Sequence, residues 1–135
     1  TRKYKAIVYN NIKEDEGTVA EPIGRDPKNR LRNAVTSINS KKAVTHYKVL
    51  ERFGKFTLVE AVLETGRTHQ IRVHMAHIGH PIIGDELYGF VDENLIKRQA
   101  LHAYSLKFRQ PRTKELLEFK ADIPEDMKML IQKLK

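Results

Sequence analysis

Apolar and polar residues alternate along most of this chain, which predicts strands before anything else is known. Residues 4–10 (YKAIVYN) place Tyr4, Ala6 and Val8 on one face and Lys5, Ile7 and Tyr9 on the other. With apolar side chains on both faces, this reads as an inner strand. Residues 18–23 form a shorter candidate, and Pro22 confines it to an edge or a strand end. Residues 43–51 alternate again through Ala43, Thr45, Tyr47 and Val49. Residues 52–55, with Gly54, then turn the chain into a β-branched run over 56–64. In that run Val59, Ala61 and Leu63 share a face. A last pair follows: residues 101–110 with His102, Tyr104, Leu106 and Phe108 on one side, a turn over 111–114, and a return through Leu117, Phe119 and Ala121.

The period changes inside residues 64–89 (ETGRTHQIRVHMAHIGHPIIGDELYG). Gly66 breaks the strand, and Thr68 is placed to cap a helix with its hydroxyl. From His69 onward Ile71, Met75 and Ile78 recur at helical spacing and form one buried stripe. Gly79 fits the left-handed residue that ends a helix, and Pro81 forbids its continuation. A helix of about three turns results. Residues 92–99 predict a short helix. After Ile123 and Pro124, Met127, Leu130 and Leu134 predict a final amphipathic one. The sum is one α+β domain over residues 1–135, a mainly antiparallel sheet with two principal helices.

Charge narrows the partner. Lys and Arg number 25 against 17 Asp and Glu, a net +8, which favours a polyanion and puts nucleic acid ahead of a membrane surface. The excess concentrates in residues 24–42, where Arg25, Lys28, Arg30, Arg32, Lys41 and Lys42 face Asp26 alone. Interspersed Gly, Pro, Asn and Ser make this a loop or hairpin arm suited to tracking phosphates. Zero Cys excludes disulfide and thiol chemistry and is compatible with a reducing, cytoplasmic setting. No apolar run approaches the ~18 residues of a spanning helix.

Candidate chemistry gathers on the first helix. Arg67 sits where the helix begins, among free backbone amides, a natural phosphate position. Arg72 borders the apolar stripe and calls for an anionic partner, since its charge cannot be shed. That partner is either a structural carboxylate or a functional anion. His74, His77 and His80 form a close-spaced triplet, but the spacing is not that of a zinc-protease helix, no Cys is present, and His80 lies past the helix end. Capping or backbone contacts suit them better than a metal.

The string TGRTHQIRVHMAHIGHPIIGDELYG resembles the signature of the RluA-type RNA pseudouridine synthases. LHAYSLKFRQP is similar to that family's Leu-His-Ala strand, and Lys3-Tyr4-Lys5-Ala6 to its Lys-x-Tyr-x-Ala opening, with the lysine offset by one position. The resemblance runs nearly end to end. It implies cofactor-free isomerisation of a uridine within ribosomal RNA, the large subunit foremost, or transfer RNA. It also implies a tyrosine against the target base at Tyr4 and, at Arg72, a basic residue that pairs with an essential aspartate. The RNA-contacting set is then Arg25, Lys28, Arg30, Arg32, Lys41, Lys42, Arg67, His69 and Gln70.

The aspartate itself is not where the resemblance wants it. The family carries it in His-Arg-Leu-Asp upstream of the tyrosine, and none of Asp15, Asp26, Asp85, Asp92, Asp122 or Asp126 follows Arg-Leu. Asp85 matches a Gly-Asp turn and reads as structural. The expectation is therefore the C-terminal part of a catalytic domain, inactive alone. A non-catalytic RNA-binding module is the competing reading. A piece of that kind is expected to expose an apolar strand edge or face near residues 4–9, and so to dimerise or pair strands.

Overall fold

A computed structural model describes residues 2–135. In chain order the elements are β1 (Arg2–Tyr9), β2 (Glu16–Val19), β3 (Ile23–Arg25), β4 (Asn33–Val35), β5 (Thr45–Arg52), β6 (Phe56–Leu63), α1 (Gln70–His77), β7 (Leu101–Arg109), β8 (Leu116–Lys120) and α2 (Glu125–Leu134). Six strands make one sheet in the order β2-β5-β6-β1-β7-β8, every neighbouring pair antiparallel, and β3 pairs with β4 in a separate ribbon. This is the α+β architecture with two principal helices that the periodicities predict.

The expected free edge at residues 4–9 does not exist. β1 is flanked by β6 through Tyr4–Ala61 and Ala6–Val59, and by β7 through Tyr4–Ala103 and Ala6–Leu101. Ala6, Ile7 and Val8 are fully buried in consequence. Both flanking strands come from later in the chain. Apolar exposure falls instead on the β7–β8 hairpin, where Leu106, Phe108, Leu116 and Phe119 reach solvent and the two Phe rings stack at 5.7 Å.

Both helices feed the same core. Met75 of α1, Met127 and Leu130 of α2, and Ile7 and Ile82 belong to one cluster, all fully buried. Each such side chain contributes roughly 1.5–3 kcal/mol of burial. α1 is also buried on a second side, where Val73 meets Ile23 and Ala43 beneath the β3–β4 ribbon. Its apolar stripe is therefore wider than Ile71, Met75 and Ile78.

Three local expectations change. α1 is shorter than about three turns, and Thr68 does not cap it: the capping position is His69, with φ 57° and ψ 22° and no side-chain bond to a helix amide. Residues 92–99 form no helix. Asp92 makes one turn, its carbonyl accepting from Leu95 and Ile96 and its carboxylate from Asn94, and Ile96 is then drawn into the core. The basic segment 24–42 is the hairpin arm expected, a short ribbon tied back by Ile23–Lys41 backbone bonds and by Arg32 on Asp26. Gly79 ends α1 at φ 87°, as expected.

Candidate active site

Antiparallel pairing of β1 with β6 fixes where the first helix lands. β6 runs to Leu63, turns at Gly66, and delivers the start of α1 beside Tyr4 of β1. The result is a cavity of about 330 Å³, with polar walls from Tyr4, Arg67, His69, Arg72 and Gln99 and an apolar lining from Leu63, Ile71 and Leu101. Tyr4 and Arg72, far apart in sequence, thus share one hollow.

Arg72 finds its anion within the chain. Its Nε and Nη2 donate to the two oxygens of Asp85 at 2.8 and 2.9 Å, and Tyr88 packs its ring 5.1 Å from the guanidinium carbon. The Asp85 carboxylate is completely buried and accepts two more bonds, from the amides of Leu87 and Tyr88 at 3.0 and 3.1 Å. Burial alone would raise its pKa, but the guanidinium and these amides outweigh it and hold the carboxyl below its ordinary range. Asp85 is thus both the turn-former the sequence suggested and the partner of Arg72. The turn also needs Gly84, at φ 81°, where a Cβ would lie 2.2 Å from the Arg98 carbonyl oxygen. The pair leaves the Nη1 group of Arg72 for a further acceptor.

His69 is held by a side chain that sequence reasoning passed over. Its Nδ1 lies 2.9 Å from the hydroxyl of Tyr88, which also accepts the backbone N–H of Asn33 at 2.9 Å. Burial, and then the nearby Arg72 charge, lower the His69 pKa. Tyr88 was visible in the Leu-Tyr-Gly string, but nothing local tied it to His69. Gln99 was likewise unmarked, and its Oε1 is buried without a partner.

Gln70 lines the same cavity, but its polar atoms are turned to the protein. It is 2% exposed, and its amide is spent inside the protein. Its Oε1 accepts from Thr65 and from the Arg67 amide, and its Nε2 donates to Val44 and Thr45. It braces the turn between β6 and α1, in place of the cap expected from Thr68.

Beside this cavity lies a second, more open hollow of about 510 Å³. Arg25, Asn33, Asn39, Lys41 and Thr68 line it, and Arg67 borders both. Arg67 is oriented by its Nε, which donates to the Lys42 carbonyl at 2.7 Å. Of the remaining basic set, Lys28, Arg30 and Lys42 are exposed and line neither hollow. Arg32 also lines neither hollow: its Nε donates to Asp26 and its Nη1 to the Leu87 carbonyl, which clamps the ribbon to the body.

The three histidines go to different places. His74 is fully buried between the Thr45 hydroxyl and the Glu21 carbonyl, both at 2.8 Å. His77 is exposed, and His80 donates from Nδ1 to the Tyr9 carbonyl. Among the described residues no group of His, Cys, Asp and Glu is placed to hold a metal, and no helix is long and apolar enough to cross a membrane.

Comparison with known proteins bears on this geometry. The RNA pseudouridylate synthase family matches residues 1–77. The chain is 56% identical to an uncharacterized RNA pseudouridine synthase, YlyB, of Bacillus subtilis (strain 168), over 100% of this chain and 44% of that protein. It is 46% identical to the ribosomal large subunit pseudouridine synthase D of Neisseria meningitidis, over 99% of this chain and 38% of that one. Among solved structures, human RNA pseudouridylate synthase domain containing 1 superposes with a TM-score of 0.78 at 28% identity, covering 98% of this chain and 64% of that chain. The chain spans about half the length of the curated relatives it matches.

Proposed function

Because the chain belongs to the RNA pseudouridylate synthase family, we propose that it furnishes the tyrosine–arginine side of a uridine-isomerising site, together with its RNA-binding surface. The observation that carries this reading is the meeting of Tyr4 and Arg72 on one hollow that adjoins a basic one through Arg67. The isomerisation breaks the C1′–N1 bond of uridine and forms C1′–C5; the C5 proton is lost and N1 gains one, so no cofactor is consumed. Tyr4 lies against the base and assists removal of the C5 proton. Arg72, fixed by Asp85, presents Nη1 to the essential carboxylate, which residues outside these 135 supply. Asp85 is not that carboxylate, because it is wholly buried and bonded to Arg72 and two amides.

The target base has to leave its stack, at a cost of a few kcal/mol. Phosphates held by Arg25, Lys41 and Arg67 help offset that cost. Lys28, Arg30 and Lys42, exposed on the same basic segment, extend the electrostatic field. Ribosomal large-subunit RNA is the proposed substrate, in a cytoplasmic setting.

The test compares the full-length protein with residues 1–135 alone, assaying pseudouridine in ribosomal RNA from a strain lacking the gene. Formation by the full-length protein and none by residues 1–135 supports the division of the site. Formation by residues 1–135 alone would assign the carboxylate to one of the six aspartates here. Salt-sensitive RNA binding without pseudouridine from either protein would favour a non-catalytic RNA-binding module.

A further inference from the structure

The hydroxyl of Tyr88 is already an acceptor on one side. The Asn33 backbone N–H can only donate, so at 2.9 Å the phenol oxygen accepts there. Among the described residues the one acceptor within reach of the phenol's own proton is Nδ1 of His69, also at 2.9 Å, and a donor there would leave that proton without a partner. An imidazole that accepts at Nδ1 is neutral and carries its one proton at Nε2. Nε2 has no partner among the described residues, and His69 lines the same hollow as Tyr4 and Arg72. Burial and the adjacent Arg72 guanidinium oppose a second proton on this ring.

From this we infer that Tyr88 is a positioning residue that locks His69 as the neutral Nε2–H tautomer, a hydrogen-bond donor in the cavity for a carbonyl oxygen of the target base. The class of acceptor follows from the walls. Arg67 and Arg72 already supply the cavity with charge for phosphate or carboxylate. A neutral donor adds little for an anion but suits the uncharged carbonyl of a pyrimidine. The lock also joins the basic ribbon to the cavity, because the amide that orients Tyr88 belongs to Asn33, the first residue of β4. The side chain of Asn33 holds the other end, donating to the Thr68 carbonyl at 3.0 Å, immediately before His69.

This inference rests on the proposed uridine-isomerising site, and its test separates the two. In the full-length protein labelled with ¹⁵N-histidine, the ring nitrogens of His69 should report one tautomer, protonated at Nε2 and bare at Nδ1. An Nδ1–H tautomer, or a mixture of both, would sink the lock whatever the activity. Single-turnover pseudouridine formation on ribosomal RNA from the deletion strain tests the donor. Tyr88→Phe should lose about fivefold, the size of one hydrogen bond. His69→Gln brings its own N–H near the Nε2 position, so it should stay within about threefold of wild type and respond little to added Tyr88→Phe. His69→Leu should lose about tenfold. If Tyr88→Phe costs as much in the His69→Gln protein as in wild type, or if Gln and Leu at position 69 lose equally, the donor role is wrong. Should Tyr88→Phe fail to fold, the tautomer and the Gln–Leu comparison still decide. If wild type forms no pseudouridine, the isomerase reading fails and the base contact falls with it, while the tautomer stands or falls on the spectrum.

Discussion

Arg72 lies along Asp85 in a two-point pair, Nε and Nη2 at 2.8 and 2.9 Å from the two carboxylate oxygens, with the carboxylate wholly buried and the guanidinium nearly so. An arginine held in this way cannot swing. Its aromatic neighbour Tyr88 and the Gly84–Asp85 turn fix one edge, and only the other edge is left for chemistry.

Removing Asp85 should therefore strand a buried cation. Asp85→Ala is expected to destabilise the full-length protein by about 3–5 kcal/mol, the usual cost of breaking a buried pair on one side. Urea denaturation measures it. A loss below about 1 kcal/mol would show that the pair is not supporting the turn. Activity should fall with it, because Nη1 loses its aim.

Tyr4 separates function from stability more cleanly. Its hydroxyl makes no hydrogen bond among the described residues, while its ring packs against the main core. Tyr4→Phe should leave the melting temperature nearly unchanged and lower pseudouridine formation by about 10²–10⁴, the range for a lost general base. Full activity in the Phe variant would remove proton transfer from the role of Tyr4.

The basic residues should divide into two groups. Arg25→Ala with Lys41→Ala removes two charges from the open hollow. It should weaken RNA binding and reduce the magnitude of the log K against log salt slope by about 1.4–1.8 in total. Arg32→Ala, which breaks the bonds to Asp26 and Leu87, should instead loosen the ribbon and lower the melting temperature. Salt-titrated RNA binding, set beside thermal melts, distinguishes the two outcomes.

Acid should unfold the protein earlier than its carboxylates alone would dictate. The Glu21 carbonyl can only accept, so buried His74 carries its proton at Nε2 and takes the Thr45 hydroxyl proton at Nδ1. Burial lowers its pKa, and His69 is shifted the same way. A depressed histidine pKa means that the unfolded chain takes up the proton first. Stability is therefore complete above the unfolded value of about 6.5 and declines as pH falls below it, by up to about 1.4 kcal/mol per pH unit for each histidine. His74→Gln, which does not titrate, should flatten the dependence of unfolding free energy between pH 7.5 and 5.5. An unchanged slope would mean that His74 contributes nothing to it.

The sequence alone determined the elements whose periodicity is strong and whose caps are local. The strands at 4–10, 43–51, 56–64 and 101–110, the glycine end of α1 and the Met127–Leu130 face of α2 all stand where alternation or helical spacing puts them. The motif strings also named Tyr4 and Arg72, by resemblance, as candidate site residues. What the sequence could not determine was who meets whom. That β1 lies between β6 and β7, that Asp85 satisfies Arg72, that Tyr88 holds His69, that Gln70 is spent inside the protein and that Arg32 reaches the Leu87 carbonyl are all contacts between distant residues. Alternation says which face of a strand is apolar but not which strand lies beside it. A carboxylate or hydroxyl reveals nothing about its partner until the sheet and the helix start have been brought together. Strand order and side-chain pairing are set by packing over the whole chain, so only the tertiary structure decided them.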